Sequence, residues 1–308
     1  MNIVGIDIGG TTIKADLYQS DGRSLHQFRE VVTEIDFEKK TNQILEQVCQ
    51  LIAFYKEKFE LDGVAISSAG VVDSQAGKIS YAGYTIPGYI GTDFRSRILK
   101  EFGLPIAIEN DVNCAALGEA WLGAAKGHAS AVMITVGTGI GGGIIYDGKI
   151  VNGSTYTAGE VGYLPMEDGQ DWQSLASTTA LLALYSQKTG EQGHTGRSFF
   201  AAVDQGDKLA QETLDIFLGR LAKGLLTLSY ILNPEVLIVG GGILARSELI
   251  LPRLENLMKQ QVVDPRFLPR ELVAAALGNE AGRLGAVRHF LNQESTLVEK
   301  DVFRKNVL

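Results

Sequence analysis

The feature that most constrains the fold of this chain is a pattern that occurs twice: an apolar strand, a turn of glycine and threonine, and a second strand. In the first copy, the β-branched run Ile3 to Ile8 breaks at Gly9-Gly10-Thr11-Thr12, and strand-like residues resume at Ile13. In the second copy, Ala131 to Val136 leads into a turn that begins Gly137-Thr138-Gly139. Because the order of the two copies matches, we predict two versions of one α/β unit.

The length of 308 residues suits two α/β lobes with a cleft between them, at roughly 100 to 200 residues per domain. We place a smaller N-terminal lobe at residues 1–113 and a larger lobe at residues 114–292. The tail 293–308 has a helical pattern, and its return to the first lobe is an option that the sequence leaves open.

Three helices are predicted from apolar spacing and composition. One carries Ile44 to Phe59, a second covers Val112 to Ala125, and a third covers Leu214 to Leu232. The third should stop at Asn233-Pro234, because proline cannot continue a helix.

Composition excludes several classes of protein. A formal net charge of −8 without a Lys/Arg cluster argues against a nucleic-acid surface. The N-terminus lacks the layout of a signal peptide, and no apolar run approaches the ~20 residues that span a bilayer, so we expect a cytoplasmic protein without a membrane segment. The two cysteines, Cys49 and Cys114, lie far apart in sequence and are expected to be core residues rather than a disulfide or zinc ligands.

The two glycine turns are candidate phosphate-binding sites. Such a turn can aim backbone N–H groups at one point, and glycine lets an anion approach closely. Either turn alone could simply close a hairpin. The acid Asp7, at the end of an otherwise apolar strand, favours the functional interpretation, because its burial requires a partner such as hydrated Mg²⁺.

Six motifs in order make the chain resemble the ROK family (repressors, open reading frames, kinases) of sugar kinases, within the actin-like ATPase superfamily. The resemblance spans nearly the whole chain and implies a two-lobed α/β fold of the ribonuclease H-like type with a duplicated unit. The motifs are Asp7-Ile-Gly-Gly-Thr-Thr-Ile-Lys14, Glu109-Asn110-Asp111-Val-Asn113, Gly137-Thr138-Gly139-Ile-Gly141-Gly-Gly143, Ala158-Gly159-Glu160-Val-Gly162, Asn233-Pro234-Glu235 through Gly242, and Leu277-Gly278-Asn279-Glu280-Ala-Gly282.

The resemblance implies ATP and Mg²⁺ as ligands, a sugar as substrate, and often a homodimer. Asp111 would be the catalytic base, and Asp7 would bind Mg²⁺, through water or directly. The implied phosphate ligands are Gly9, Gly10, Thr11, Thr12, Gly137, Thr138 and Gly139, with Lys14 as a further candidate that could equally face solvent. The implied adenosine-side residues are Gly240, Gly241, Gly242 and Asn279, and the implied sugar-side residues are Gly70, Asn110, Asp111 and Glu160.

Two departures from the family pattern concern substrate choice. Tyr163 stands where the family usually has histidine, and the Cys-rich zinc segment is missing from residues 163–180, so no structural zinc is expected. Gln173 replaces a glutamate that commonly touches the sugar. Because both changes lie on the side that reads the anomeric end, we hypothesise that the chain accepts a hexose with a substituted anomeric oxygen, as in β-glucoside kinases. Glucose, mannose and N-acetylated hexosamines are the alternatives.

Competing interpretations remain at this stage. Asp111 could be a helix N-cap instead of a base. The turn at Gly137 also fits a dinucleotide-binding pattern, although that pattern requires a helix directly after the turn, where Ile144 to Tyr146 predict a strand. A sugar-sensing regulator of the same fold is the third alternative, and the first strand begins at Ile3, without a preceding DNA-binding segment.

Overall fold

The computed structural model describes residues 1–306, apart from the side chains of Asp168 and of residues 295–306. The strands are β1 (Asn2–Ile8), β2 (Thr12–Gln19), β3 (Arg29–Val32), β4 (Ile35–Asp36), β5 (Thr41–Asn42), β6 (Gly63–Ser68), β7 (Val71–Asp73), β8 (Lys78–Tyr81), β9 (Ile106–Asn110), β10 (Ser130–Val136), β11 (Ile140–Tyr146), β12 (Lys149–Ile150), β13 (Val236–Gly240) and β14 (Glu271–Ala274). The α-helices are α1 (Ile44–Lys56), α2 (Phe94–Phe102), α3 (Asp111–Leu122), α4 (Trp172–Ala176), α5 (Thr178–Thr189), α6 (Gly196–Asp204), α7 (Lys208–Leu232), α8 (Ser247–Gln261) and α9 (Ala281–Asn306).

The chain divides into two units by its internal contacts. The first unit contains Met1–Lys126, Asn152–Thr157 and the chain from Leu277 onward, and the second contains Gly127–Val151 and Ala158–Ala276. This division differs from the boundary predicted at residue 113, because α3 packs on α9 within the first unit. Glycine makes that packing close: a Cβ on Gly285 of α9 would overlap the main chain of Cys114 in α3.

Each unit is built on a five-stranded sheet, and the two sheets share one strand order. The first runs β3-β2-β1-β6-β9 and the second runs β12-β11-β10-β13-β14. In both, the first strand of the hairpin pairs antiparallel with the second and parallel with the strand on its other side. The predicted duplication of one α/β unit is therefore confirmed.

The first sheet is covered on both faces, which explains its continuous apolar strands. Successive side chains of a strand point to opposite faces, so Val4 and Ile6 pack in a cluster with α1, while Ile3 packs with Cys114 and Val287 of the opposite layer. Both cysteines are buried, as the sequence predicts.

The second unit has its core around α7. Leu214, Leu218, Leu221 and Leu225 of this helix pack in one cluster with Val132 and Ile134 of the sheet. The helix ends at Asn233, which adopts a left-handed conformation with φ of 41°, and Pro234 prevents its continuation, as predicted. The sequence left open whether the tail 293–308 returns to the first lobe. The helix that contains most of it, α9, begins in the first unit, and residues 307–308 lie outside the described residues.

Candidate functional site

Asp111 begins α3 directly after β9, at the carboxyl end of the first sheet. The residue before it, Asn110, is the N-cap, since its side-chain oxygen accepts hydrogen bonds from the backbone N–H groups of Val112 and Asn113. The N-cap interpretation of Asp111 is therefore wrong. Its Oδ1 accepts from Asn110 Nδ2 at 3.0 Å and from Val112 N at 2.9 Å.

The electrostatic surroundings of Asp111 favour the protonated acid. Burial and the negative charge of Asp7 raise the pKa of Asp111 from 3.8 to about 6, although hydrogen bonds at the start of α3 act in the opposite direction. A carboxylate with a raised pKa accepts a proton more readily than an ordinary surface aspartate. A raised pKa suits the role of general base that the sequence analysis predicts for Asp111.

Asp7 lies at the end of β1, one strand from Ser67 on β6. Ser67 Oγ donates to Asp7 Oδ1 at 2.7 Å. Gly282 of α9 adjoins this pair, since a Cβ at that position would lie 3.0 Å from both Asp7 Oδ1 and Ser67 Oγ. Glycine at residue 282 thus lets the α9 backbone pack directly against Asp7 and Ser67.

The first glycine turn, residues 9–12, is fixed at both ends. Gly9 N donates to Thr12 O at 3.0 Å within the turn. Thr33, which follows β3, donates its hydroxyl to Gly9 O at 2.7 Å and its backbone N–H to Thr11 O at 2.9 Å. Gly10 and Thr11 remain exposed at the tip.

Lys14 lies opposite Glu30 in the β2–β3 register, with 3.9 Å between Nζ and the carboxylate, so its charge has a partner within the sheet.

Gly70 belongs to the same local network as the candidate base. Its carbonyl oxygen accepts from Asn110 Nδ2 at 3.0 Å. Gly70 has a φ of 92° and lies so close to the Tyr81 carbonyl that a Cβ would be 2.6 Å from that oxygen, so only glycine fits. Asn110 uses both amide hydrogens and its oxygen in these internal contacts. Its role here is to orient Gly70 and Asp111.

Glu109 lies behind the candidate base and is only 1% exposed. Its Oε1 accepts from Asn110 N at 2.8 Å and from Asn113 Nδ2 at 3.1 Å. Its Oε2 accepts from Asn152 Nδ2 at 2.6 Å. Three N–H donors therefore stabilise a buried carboxylate at the start of α3.

The second glycine turn, residues 137–139, has its own supports in the second unit. Gly137 N donates to Gly139 O at 3.0 Å, and Thr178 N, in the first turn of α5, donates to Gly137 O at 2.8 Å. The Gln173 side-chain oxygen lies 2.7 Å from the position a Cβ would take on Gly139. Since β11 follows the turn directly, the helix that a dinucleotide-binding motif requires is replaced by a strand.

Glu160 precedes a short 3₁₀ turn of the second unit, Val161–Tyr163, and Tyr163 is the last residue of that turn. Gly159, with a φ of 96°, packs directly on the Gly142 carbonyl of β11 and so fixes the start of this turn. Tyr163 is 62% exposed. Gln173 also reaches this turn, with its oxygen 3.1 Å from the Cβ position of Gly162. Gln173 therefore joins the second glycine turn to the loop that carries Glu160.

The predicted adenosine-side residues belong to different units. Gly240 ends β13, and Gly241, with a φ of 94°, packs against the Val136 main chain in the second unit. Asn279 lies in the 3₁₀ turn Gly278–Glu280 of the first unit and is exposed.

Residues 163–180, which lack the Cys-rich zinc pattern, contain a tryptophan that packs in the core. Trp172 is fully buried, its Nε1 donates to Arg220 O at 3.1 Å, and its ring covers Gly224 of α7, where any side chain would overlap it. Within residues 1–306, leaving aside the side chains not described, no cluster of three or more His, Cys, Asp or Glu residues suits a metal ion. None of the helices in the described chain has the length and apolar character of a membrane span.

Sequence reasoning missed several residues that support the site. Thr33 and Thr178 fix the glycine turns, and Asn152 contacts Glu109. Their partners are 24, 41 and 43 positions away, so no local pattern marks them. Ser67 could have been predicted from the sequence, because it lies near the end of an apolar strand that pairs parallel with β1, which places it opposite Asp7.

Comparisons with known proteins agree on one family. The family model described as ROK family matches residues 3–293. A beta-glucoside kinase from Listeria innocua is 33% identical over 308 residues, which cover 96% of this chain and 99% of the relative.

Solved structures give the same result. A ROK family glucokinase from Streptomyces griseus in complex with glucose and AMPPNP matches with a TM-score of 0.75 and 29% identity, over 94% of this chain and 98% of that one. A ROK family protein from Streptococcus pneumoniae in complex with sucrose matches with a TM-score of 0.83 and 28% identity, over 96% of this chain and 100% of that one.

Proposed function

The chain belongs to the ROK family, and from that membership we propose that it is an ATP-dependent sugar kinase that transfers the γ-phosphoryl group to a hexose hydroxyl, with Asp111 as the base. The observation that carries the proposal is the Asp111 carboxylate itself. It is held at the carboxyl end of β9 by Asn110, is free of the capping role, and has a pKa raised to about 6.

The reaction needs placement and charge neutralisation more than covalent catalysis. The sugar hydroxyl oxygen forms a bond to the γ-phosphorus, the bond from that phosphorus to the ADP oxygen breaks, and the hydroxyl proton passes to Asp111. The turns Gly9–Thr12 and Gly137–Gly139 bind phosphate oxygens through their backbone N–H groups. Lys14, whose charge is already paired with Glu30, is a secondary candidate for that role.

Asp7 fits a magnesium site. It is a partly buried carboxylate at the end of β1, and its Oδ1 accepts a hydrogen bond from the Ser67 hydroxyl. Magnesium is commonly bound by one or two carboxylates, waters and substrate phosphates, so a single acid suffices. The ion would neutralise charge on the transferred phosphoryl group.

The proposed substrate is glucose or a β-glucoside, phosphorylated at the 6-hydroxyl. Gly70, Asn110 and Glu160 would line the sugar, with Tyr163 and Gln173 on the anomeric side and Gly240, Gly241, Gly242 and Asn279 on the adenosine side. The exposed Tyr163 ring offers an apolar surface. The beta-glucoside kinase relative and the neighbour in complex with sucrose support a pocket that admits a second ring.

The proposal extends to the setting of the enzyme. The net charge of −8 supports a protein without nucleic-acid partners. From the family resemblance, we also propose that the enzyme is cytoplasmic, forms a homodimer and contains no structural zinc.

An ADP-release assay with glucose, mannose, N-acetylmannosamine, cellobiose and gentiobiose tests the function. We expect turnover with glucose or a β-glucoside, and a 10²- to 10⁴-fold lower kcat for Asp111→Asn, the range in which a general base contributes. Sugar binding without ADP release would instead identify a sugar-sensing regulator. Activity on free monosaccharides only would disprove the β-glucoside preference, and an Asp111→Asn variant with most of its turnover would disprove the assignment of the base.

A further inference from the structure

The segment Asn152–Thr157 leaves one unit and packs in the other. The residues before it, through Val151, and the residues after it, from Ala158, belong to the second unit, whereas the segment itself belongs to the first. Glu160 follows it by three positions. A connection of this kind needs side chains that hold it in place.

Two contacts hold the segment. Asn152 Nδ2 donates to Glu109 Oε2 at 2.6 Å, and the Tyr156 phenol lies near Asp73 of β7, because burial and that carboxylate together raise the pKa of the phenol. Tyr156 has a φ of 61°, a left-handed conformation that is costly for any residue except glycine. The neighbouring contacts compensate for that cost.

Glu109 connects the segment to the first turn of α3. Each of its carboxylate oxygens accepts hydrogen bonds from different residues. Oε2 accepts from Asn152 Nδ2, and Oε1 accepts from Asn110 N and Asn113 Nδ2. Among the described residues, no Lys or Arg forms an ion pair with Glu109. The hydrogen bonds to this buried carboxylate come from amide donors, and loss of the Asn152 donor leaves Oε2 without its hydrogen bond.

In sequence, Asp111 lies between Asn110 and Asn113, the two residues that donate to Glu109 Oε1. Asn110 donates to Asp111 Oδ1 at 3.0 Å, so any shift of Glu109 that moves the residue-110 peptide also moves the candidate base. Proton transfer requires hydrogen-bond distance, and a misplacement of about 1 Å can cost roughly 10²-fold in rate.

We propose that Asn152 is a positioning residue: its hydrogen bond to Glu109 fixes the first turn of α3 and thereby orients Asp111 toward the sugar hydroxyl. The proposal rests on the kinase function proposed above. The proposal also gives the segment Asn152–Thr157 a role in phosphoryl transfer, because the Glu109 carboxylate contacts both Asn152 of this segment and Asn110, which holds Asp111.

The test compares Asn152→Ala with Asn2→Ala, which removes a side-chain hydrogen bond of 3.0 Å to Glu60 O at the opposite end of β1. We expect Asn152→Ala to lower kcat about 10-fold or more, with the KM for ATP changed less than about twofold. Asn2→Ala should keep the wild-type kcat. A purely structural role would instead lower the melting temperature and leave kcat per folded molecule unchanged.

A double-mutant cycle shows whether Asn152 acts through Glu109. In the Glu109→Gln background, Asn152→Ala should change kcat less than about twofold further. If the effects of Asn152→Ala and Glu109→Gln on kcat multiplied in the double variant, the two residues would act independently and the proposal would be overturned. A wild-type kcat in Asn152→Ala would also overturn it. If Asn152→Ala does not fold, Asn152→Ser keeps a shorter donor, and its kcat should fall two- to fivefold; a wild-type kcat there would also overturn the proposal. A wild-type chain inactive on every sugar would instead disprove the kinase function and this inference together.

Discussion

At the scale of single residues, the assignment of Asp111 depends on its neighbour. Either Asn110 or Asp111 suits a helix N-cap by residue type, and the sequence alone does not separate them. The structure assigns the cap to Asn110, whose φ of −58° and ψ of 145° are non-helical. Asp111 is then the first residue of α3 and not its cap.

Replacement of Asp111 should stabilise the fold at alkaline pH. Its folded-state pKa of about 6 is above the ordinary 3.8, so the fold favours the protonated acid. That stabilising contribution is fully present below pH 3.8 and is lost as the pH rises through about 6. Because the side chain is half-buried, we expect Asp111→Asn to raise the free energy of unfolding at pH 8 by about 1–2 kcal/mol.

Thermal unfolding of both proteins at several pH values checks this expectation. The difference should narrow as the pH falls below about 6. Equal stability at pH 8 would show that burial does not disfavour the ionised form. The same variant should lose turnover, so function at this position opposes stability.

At the scale of elements, the two glycine turns are local in sequence but depend on distant supports. Thr33 holds the first turn, and Thr178 at the start of α5 holds the second. The turn residues alone predict a hairpin, since glycine permits the required backbone. Which threonine supports which turn follows only from packing of the neighbouring elements.

The Trp172–Gly224 contact between α4 and α7 gives a matched pair of variants in one helix. A Cβ at Gly224 would overlap the Trp172 ring, whereas a Cβ at Gly219 meets nothing within 4 Å. We expect Gly224→Ala to destabilise by about 1–3 kcal/mol through overpacking. Gly219→Ala should stabilise by about 0.5–1 kcal/mol, because alanine favours helix.

Denaturant unfolding measures both variants. A neutral Gly224→Ala would contradict the tight packing of Trp172, and a destabilising Gly219→Ala would mean that its surroundings are less open than the structure indicates.

At the scale of the whole molecule, the two sheets share one strand order, so the fold uses one α/β unit twice. The proposed kinase function predicts that a nucleotide and a sugar stabilise this fold. AMPPNP with Mg²⁺ and a sugar substrate bind only the folded protein, and at about 100 times the dissociation constant each adds roughly 2.7 kcal/mol. A thermal-shift assay should show a rise with AMPPNP and Mg²⁺ that NADH does not produce. A rise with NADH alone would revive the dehydrogenase alternative.

The sequence by itself determined the duplicated α/β unit, the two glycine turns, the end of α7 at Asn233-Pro234 and the candidate base. These features depend on local backbone preferences or on motifs of adjacent residues, which a sequence displays directly. Only the tertiary structure decided that α3 packs in the first unit, that Asn110 is the cap, and that Asn152 contacts Glu109. The reason is physical: such contacts join residues far apart in the chain, and their energy depends on burial and donor geometry that exist only after folding.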